Sequence, residues 1–339
     1  MGKEERIRLG HGSGGKLTHE LIDNLFVKYF SNPELDRQTD AALLRLPKKQ
    51  LAFTTDAFVV DPIFFPGGDI GKLAVCGTVN DVAVSGANPL YLSAAFIIEE
   101  GFPLKDLENI VKSMASEARS AGVSIVTGDT KVVNKGHCDK VFITTTGIGS
   151  LPEEHLHISE GMNTVVGDKI IINGSIGDHG MAIMSARNEL KLNAPLLSDC
   201  ASLNGLISRI TSVSSNIRFM RDATRGGLAT VVTELCQGKD FGVSVSEENL
   251  LVNEGVRGMC ELLGFDPMYV ANEGKLVLVA ASEDADNILK AMHDHEHGKD
   301  ARIIGEIVAE HPGKAWLNTA VGGNRIIDML AGEQLPRIC

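Results

Sequence analysis

The sequence predicts an α/β protein of two domains followed by a tail. Strand and helix patterns alternate along the chain, its 339 residues exceed the ~150 typical of one domain, and a polar, irregular stretch interrupts the alternation near residues 151–168. We therefore divide the chain into an N-terminal Gly-rich loop and helix, a first domain, a second domain and the tail, at residues 1–39, 40–155, 165–315 and 316–339.

The first domain starts with a strand pattern from about Leu51, in LAFTTDAFVV, and continues into a largely apolar helix pattern in IGKLAVCGTVNDVAVSG. A strand pattern in PLYLSAAFII and an amphipathic helix pattern in PLKDLENIVKSMASEARSAG follow, and this helix is expected to end at Gly122. Two further strand patterns, VSIVTGD and KVFITTTGIGS, complete one α/β unit.

The second domain begins with the strand pattern KIIING. Helix patterns lie in LNGLISRITSV, in GGLATVVTELCQG and before His293, and strand patterns lie in GVSVS, KLVLVAA and RIIGEIV. Beyond Trp316 the tail carries Gly322, Gly323 and Gly332 around the apolar piece IIDML, so we expect it to be flexible enough to dock or swing.

Composition and charge limit the class of protein. The 44 acidic residues outnumber the 32 basic ones and give a formal charge of −12, which disfavours broad nucleic-acid binding. The start of the chain has no apolar signal-peptide core, and no apolar run approaches the ~20 residues of a membrane span, so we expect a cytoplasmic protein. The six cysteines include no Cys-x-x-Cys pair, which disfavours a zinc site or a disulfide framework.

Carboxylates recur where apolar elements end or are interrupted. They are Asp40, Asp56, Asp81, Asp129 and Asp222. Each one alone could cap a helix or a turn, but a buried carboxylate without a partner is costly, and five such residues favour an oxygen-rich site. Mg²⁺ suits oxygen ligands and usually holds a nucleotide through its phosphates, so the pattern indicates magnesium and ATP.

Gly-rich turns provide candidate phosphate-binding backbone in GHGSGGK and TRGGLA, although Lys16 lacks the spacing of a Walker motif and both stretches could be ordinary turns. In TGDTKVV, Lys131 adds a cation next to a strand-end carboxylate, or is a solvated surface lysine. The last residue, Cys339, is expected to be accessible, because chain ends are rarely buried unless they are tied down.

Together these stretches resemble the HypE family of hydrogenase maturation factors. This family belongs to a group of ATP-using enzymes that includes aminoimidazole ribonucleotide synthetase, selenophosphate synthetase and thiamine-monophosphate kinase. The resemblance covers almost the whole chain and is carried by HGSGGK, the region from TTDAFVVDP to VNDVAVSGA, TGDTKVV, RDATRGGLA, NEGKL and the ending PRIC. It implies an aminoimidazole ribonucleotide synthetase-like fold, with N-terminal ATP-binding domains that pair across a homodimer into a β-barrel.

The resemblance also implies a reaction. The carbamoyltransferase HypF would load a carbamoyl group onto Cys339, and ATP would drive its dehydration to a thiocyanate, whose cyano group passes to iron held by HypC and HypD for a [NiFe]-hydrogenase. The five carboxylates would bind Mg²⁺ and phosphates, with Asn80 and Lys16 assisting. Lys131 and Glu273 would be the catalytic pair: Lys131 stabilises the transferring phosphoryl group and Glu273 removes a proton, or the two roles are exchanged.

Two other functions remain open from the sequence. The chain could be another ATP-dependent enzyme of the same group, such as a small-molecule kinase or a selenophosphate synthetase-like ligase, for which Cys339 would be incidental. It could also be a carrier of carbamoyl or cyano groups without enzymatic activity. In NEGKL, Glu273 could simply belong to a turn that leads into a strand.

Overall fold

The computed structural model describes residues 5–12, 16–37, 44, 50–187, 196–329, 335 and 337–339. Over these residues the chain forms two α/β units, each built on one main sheet. Among these residues, no helix is both long and apolar enough to cross a lipid bilayer. Asp40 lies outside the described residues, and for Lys16 only the backbone is described, at the start of the first helix.

The first unit extends to residue 151. Apart from short 3₁₀ turns, its elements are α1 (Lys16–Leu21), a π-helical stretch (Ile22–Val27), α2 (Lys28–Phe30), β1 (Gln50–Phe58), β2 (Phe64–Phe65), β3 (Gly68–Asp69), α3 (Ile70–Val84), β4 (Asn88–Glu99), α4 (Leu104–Ala121), β5 (Ser124–Val133) and β6 (Val141–Leu151).

The main sheet of this unit has the described strand order β1-β6-β4-β5, in which only β4 and β5 run parallel. α3 and α4 pack on one face. The opposite face carries apolar side chains that remain in contact with solvent, with Phe53 70% and Leu51 46% exposed. The described strands form an open sheet and do not close into a barrel within one chain.

α3 is the central helix of the molecule. Its sequence is apolar on all sides, as expected of a helix that is covered by protein in every direction, and every residue except Lys72 and Asp81 is buried. The helix packs against the first sheet, against α4 and against elements of the second unit. A single carboxylate, Asp81, is thereby held at the junction of the two units.

The second unit begins after residue 168. Its principal elements are β7 (Lys169–Ile172), α5 (Asp178–Arg187), α6 (Asn204–Val213), β8 (Ile217–Asp222), α7 (Gly227–Cys236), β9 (Gly242–Ser246), α8 (Glu254–Leu263), β10 (Leu276–Ala280), α9 (Ala285–His293), β11 (Arg302–Val308), β12 (Ala315–Asn318) and β13 (Asn324–Ile327).

The sheet of the second unit has the described order β13-β12-β9-β11-β7-β10-β8, and all pairs except β9 with β12 are antiparallel. The sequence patterns did not indicate α5, β8 or α8. The structure also pairs β12 and β13 into this sheet, although all of their residues except Ala315 lie in the stretch that the sequence assigned to the tail. They pair because alternate residues, including Ala315, Leu317 and Ile327, are buried in the core of the unit.

One hydrophobic core continues from the first unit into the second and into the tail. It contains α3 and α4 side chains together with Met181 and Ile183 of α5, and Leu335 and Ile338 of the tail. The two units are therefore packed against each other, and the last described residues take part in that packing.

The N-terminus of α3 offers a test of this architecture. Asp69 caps the helix: one carboxylate oxygen accepts hydrogen bonds from the amides of Gly71 at 2.7 Å and Lys72 at 3.1 Å. Replacing it by alanine, D69A, should lower the free energy of unfolding by about 1–2 kcal/mol, measured by urea denaturation followed by circular dichroism. D69N, which keeps the acceptor oxygen, should lose much less, and equal losses in the two variants would contradict the capping role.

Candidate active site

The second unit completes a pocket that begins on the first sheet. Asp56 on β1, Asp81 on α3 and Asp222 at the end of β8 line one small cavity of about 50 Å³. Glu273 and Cys339 line the same cavity. Five of the residues that the sequence singled out, from four separate stretches of the chain, are thus brought together.

Threonine hydroxyls fix the orientation of two of these carboxylates. Thr78, one turn before Asp81 on α3, donates to a carboxylate oxygen of Asp56 at 2.9 Å, and Thr54 on β1 donates to Asp81 at 2.9 Å. Thr145 lies 2.6 Å from the Thr78 hydroxyl. Thr145 also donates to the carbonyl of Ala74 at 3.1 Å, so two adjoining hydroxyls support the Asp56 carboxylate from behind.

The carboxylates repel one another in this half-buried setting. Burial, followed by the charge of Asp56, raises the pKa of Asp81 to about 6. Burial and the charge of Asp81 raise the pKa of Asp222 to about 7, and burial also raises the pKa of Asp56. The pocket therefore favours any ligand that brings positive charge.

Glu273 is the most deeply buried acid of the pocket, at 3% exposure. Burial, with the charges of Asp222 and Asp199, raises its pKa well above the ordinary value, and its Oε1 atom has no hydrogen-bond partner among the described residues. Asp199 holds the turn by accepting from the amides of Glu273 and Gly274 at 3.1 and 3.2 Å, and it pairs with Lys275 at 2.9 Å. A buried carboxyl of raised pKa without a partner is typical of a functional group.

Asn80 has a different setting from the one expected. Its side-chain amide donates to the carbonyl of Ala201 at 3.0 Å and, at 3.4 Å, to that of Glu273, and its oxygen accepts from the amide of Leu203 at 2.7 Å. These contacts attach α3 to the backbone of the second unit. Direct nucleotide binding by Asn80 remains a prediction.

The last residues of the chain are docked, not extended into solvent. The amide of Val59 donates to a main-chain oxygen of Cys339 and that of Asp61 to the carbonyl of Arg337, both at 3.1 Å. The Arg337 side chain donates to the Val59 carbonyl at 3.1 Å and to Asp139 at 2.6 Å. Cys339 thus reaches the carboxylate pocket of its own subunit.

Asp129 and Lys131 lie away from this pocket. β5 is the opposite edge of the sheet from β1, and both side chains are on the open face, more than 60% exposed. Lys131 Nζ binds both carboxylate oxygens of Asp129 at 2.7 Å, and this hydrogen bond lowers the pKa of Asp129. Within one chain, the structure does not bring Lys131 to Glu273 or Cys339.

The pocket suits a magnesium ion that a phosphate helps to hold. Among the described residues, no three His, Cys, Asp or Glu side chains converge closely enough to bind a metal without other ligands. The three aspartates nevertheless share one cavity with raised pKa values and with the unpartnered oxygen of Glu273. Carboxylates that need positive charge but do not form a closed cage fit Mg²⁺, which keeps waters and phosphate oxygens as ligands.

Sequence reasoning missed the cations and hydroxyls around the carboxylates. Arg225 lines the cavity, and its charge partly offsets the rise that burial causes in the pKa of Asp56. Arg225 also lines a larger adjoining pocket of about 370 Å³ that shares Asp81 and Asp222. Its position three residues after Asp222 was visible in RDATRGG. Gly226 and Gly227, which follow Arg225, form the turn into α7. Both have a positive φ, +74° and +59°, and a Cβ on Gly227 would lie 2.6 Å from two backbone carbonyl oxygens.

Comparison with known proteins agrees with this geometry. Residues 38–151 match the N-terminal domain of AIR synthase related proteins, and residues 165–318 match their C-terminal domain. The carbamoyl dehydratase HypE of Azotobacter vinelandii is 49% identical over 333 residues, which cover 98% of this chain and 97% of that protein. The chain belongs to the HypE family.

Solved HypE structures share the fold. The crystal structure of the hydrogenase maturation protein HypE in complex with ATP superposes with a TM-score of 0.93 at 47% identity, covering 98% of this chain and 99% of that chain. The structure of a HypE–HypF complex matches with a TM-score of 0.79 at 50% identity, covering 91% of this chain and 99% of that one. The two-domain α/β architecture is thus that of HypE.

The raised pKa values predict how stability depends on pH. Carboxyls ordinarily titrate near 4, so folding raises the proton affinity of Asp222, and this contribution to stability is lost as pH rises through its folded pKa of about 7. Without divalent cations we expect a lower thermal unfolding midpoint at pH 8 than at pH 6.5, measured by scanning fluorimetry. Mg²⁺ with ATP should raise the midpoint more at pH 8.

D222N supplies the control for this pH dependence, because an amide cannot ionise. The difference between pH 6.5 and pH 8 should shrink in this variant. An unchanged difference would show that other groups cause it.

Proposed function

We propose that the protein is an ATP-dependent carbamoyl dehydratase that acts on a carbamoyl group carried by its own Cys339. The observation that supports this best is the docking of Cys339 into a pocket of three aspartates and Glu273. A cysteine next to a magnesium-type carboxylate cluster is placed for a reaction in which the group on the sulfur is phosphorylated. The cavity of about 50 Å³ beside the thiol leaves room for a small group.

The reaction proceeds in two steps after loading. The oxygen of the S-carbamoyl group attacks the γ-phosphorus of ATP as one N–H proton is lost, and forms an O-phosphorylated intermediate with a C=N bond and with release of ADP. Loss of the remaining N–H proton and departure of phosphate then form the C≡N bond, so that the S-carbamoyl group and ATP become a thiocyanate, ADP and phosphate. ATP is needed because hydroxide is a poor leaving group from an amide carbon and phosphate is a good one.

Glu273 is the group that accepts the N–H protons. It shares the cavity with Cys339, and its raised pKa makes its carboxylate a stronger base than an exposed glutamate. Asp56, Asp81 and Asp222 hold the magnesium, which when bound neutralises these carboxylates and the phosphate charge. Asp40, Asn80 and Lys16 stay candidate nucleotide or metal ligands on the sequence resemblance alone.

Lys131 and Asp129 act from a second copy of the chain in this proposal. The exposed Phe53 and Leu51 give the open sheet face an apolar surface for pairing. If two such sheets close into a barrel about a two-fold axis along the barrel, the β5 edge of one copy meets the β1 edge of the other. The edge strand that carries Lys131 then lies beside the β1 edge of the other copy, and we assign Lys131 the stabilisation of the transferring phosphoryl group there.

The carrier cysteine must also leave the pocket. HypF would load the carbamoyl group, and the cyano group would pass to iron held by HypC and HypD for a [NiFe]-hydrogenase. We place these steps in the cytoplasm. These transfers require Cys339 to move between its docked position and a partner protein, so in this proposal the end of the chain is a mobile carrier that the pocket retains between transfers.

Mass spectrometry of the peptide containing Cys339 tests the reaction directly. Incubation with HypF, carbamoyl phosphate and ATP should give a carbamoyl adduct and then the same adduct lighter by one water. E273Q should accumulate the carbamoyl adduct, with dehydration slowed about 100-fold or more. A carrier without enzymatic activity would give the carbamoyl adduct but not the dehydrated one. A small-molecule kinase would give neither adduct, and C339A would still turn over its substrate.

Mixed dimers test whether Lys131 acts in trans. K131A and C339A should each be inactive alone. Dimers formed from both variants contain one site with Cys339 and Glu273 from the K131A subunit and Lys131 from the C339A subunit, so dehydration should reappear at roughly a quarter to half of the wild-type rate. If Lys131 acted within its own chain, the mixture would remain inactive.

A further inference from the structure

His179 on α5 contacts the docked tail. Its side chain is fully buried, and both ring nitrogens have partners: Nε2 lies 2.7 Å from the carbonyl oxygen of Ile338, and Nδ1 lies 2.8 Å from the hydroxyl of Ser198. The ring also packs edge-to-face on Phe65, with centroids 5.6 Å apart. None of the roles assigned above uses this histidine.

The hydrogen bonds fix the tautomer of the ring. A carbonyl oxygen can only accept, so Nε2 carries the proton, and burial, which lowers the pKa of His179, keeps the ring neutral. Nδ1 therefore accepts the hydroxyl proton of Ser198. The Ser198 oxygen in turn accepts from the amide of Cys200 at 3.1 Å, so every member of the network is satisfied.

The tail needs this donor for a geometric reason. Among the described residues, the amides of Val59 and Asp61 donate to Cys339 and Arg337, while the Ile338 carbonyl between them receives its hydrogen bond from His179. Ile338 is 3% exposed, and a buried carbonyl without a donor is costly. His179 satisfies it from the other side.

The same network touches the turn that carries Glu273. Ser198 is followed by Asp199, which holds the amides of Glu273 and Gly274. One short segment thus contacts, through His179, the backbone next to the carrier thiol and, through Asp199, the backbone of the acid that receives the protons.

We propose that His179 is a positioning residue that, with its tautomer set by Ser198, holds the Ile338 carbonyl and so aligns the group on Cys339 with Glu273. This inference rests on the proposed function for its catalytic meaning. The contact itself concerns the docking of the tail and can be tested without the reaction.

The first measurement is the alkylation rate of Cys339 by iodoacetamide in the full-length protein without ATP, followed by mass spectrometry of its peptide. H179L removes the donor at similar volume and should raise the rate about tenfold, the effect of one lost buried hydrogen bond of about 1.4 kcal/mol. H179Q, which can still donate to the carbonyl, should stay within about threefold of the wild type.

His157 provides a matched control, because its Nε2 also lies 2.7 Å from a backbone carbonyl, that of Ile217. Neither His157 nor Ile217 is close to the tail in the sequence. H157L should leave the alkylation of Cys339 unchanged. If Cys339 is alkylated at the same rate in H179L as in H157L, the proposal is wrong. S198A removes the hydroxyl that fixes the His179 tautomer and should raise the alkylation rate severalfold. This smaller change tests the proposal if H179L does not fold.

The second measurement is the dehydration of protein already carbamoylated on Cys339. H179L should lower its rate constant about tenfold while loading by HypF stays equal or becomes faster, and H179Q should restore most of the rate. A merely structural role would lower loading and dehydration together. Faster alkylation without any dehydration in the wild type would retain the positioning contact and reject the proposed function.

Discussion

The structure depends on placing several like-charged carboxyls close together where two units meet. Burial raises the pKa values of Asp56, Asp81, Asp222 and Glu273, and the charges of neighbouring carboxylates raise the last three further, so the site is under electrostatic strain until positive charge enters. The surrounding fold resists this repulsion. α3 is buried on almost all sides, threonine hydroxyls fix two of the carboxylates, and the Asp199–Lys275 pair holds the turn beneath the fourth.

The junction between the units also determines which groups can meet. Asn80 ties α3 to the 201–203 backbone, and the segment just before it holds both the Glu273 turn and the histidine that contacts the tail. One short stretch of backbone therefore positions Glu273 and, through His179, the residue next to Cys339. By contrast, the pair Asp129 and Lys131 belongs to the far edge of the first sheet and to its other face.

The sequence predicted the strong patterns and missed the weak ones. The periodic pattern of apolar residues predicted the amphipathic helix α4, and Asp81 stood out as the one acidic residue in the apolar sequence of α3. α5 and α8 were not, because glycines such as Gly180, Gly255 and Gly258 lower helix propensity and α5 is buried with little amphipathic pattern. The carboxylates of the site were identifiable by type, but strand register and face were not, so Asp129 could not be separated from Asp56. His179 carried no signal, because its role comes from a contact 159 residues away.

The burial of Ile338 has a consequence for the proposed transfer of the group on Cys339. Leu335 and Ile338 belong to the main hydrophobic core, and transferring one such side chain to water costs about 1.5–3 kcal/mol. In the proposed transfer, release of these residues into water is therefore unfavourable, and a partner protein with an apolar binding surface would compensate the loss. In the proposed transfer, Ile338 thus contributes to the choice of recipient although its side chain takes no part in the reaction.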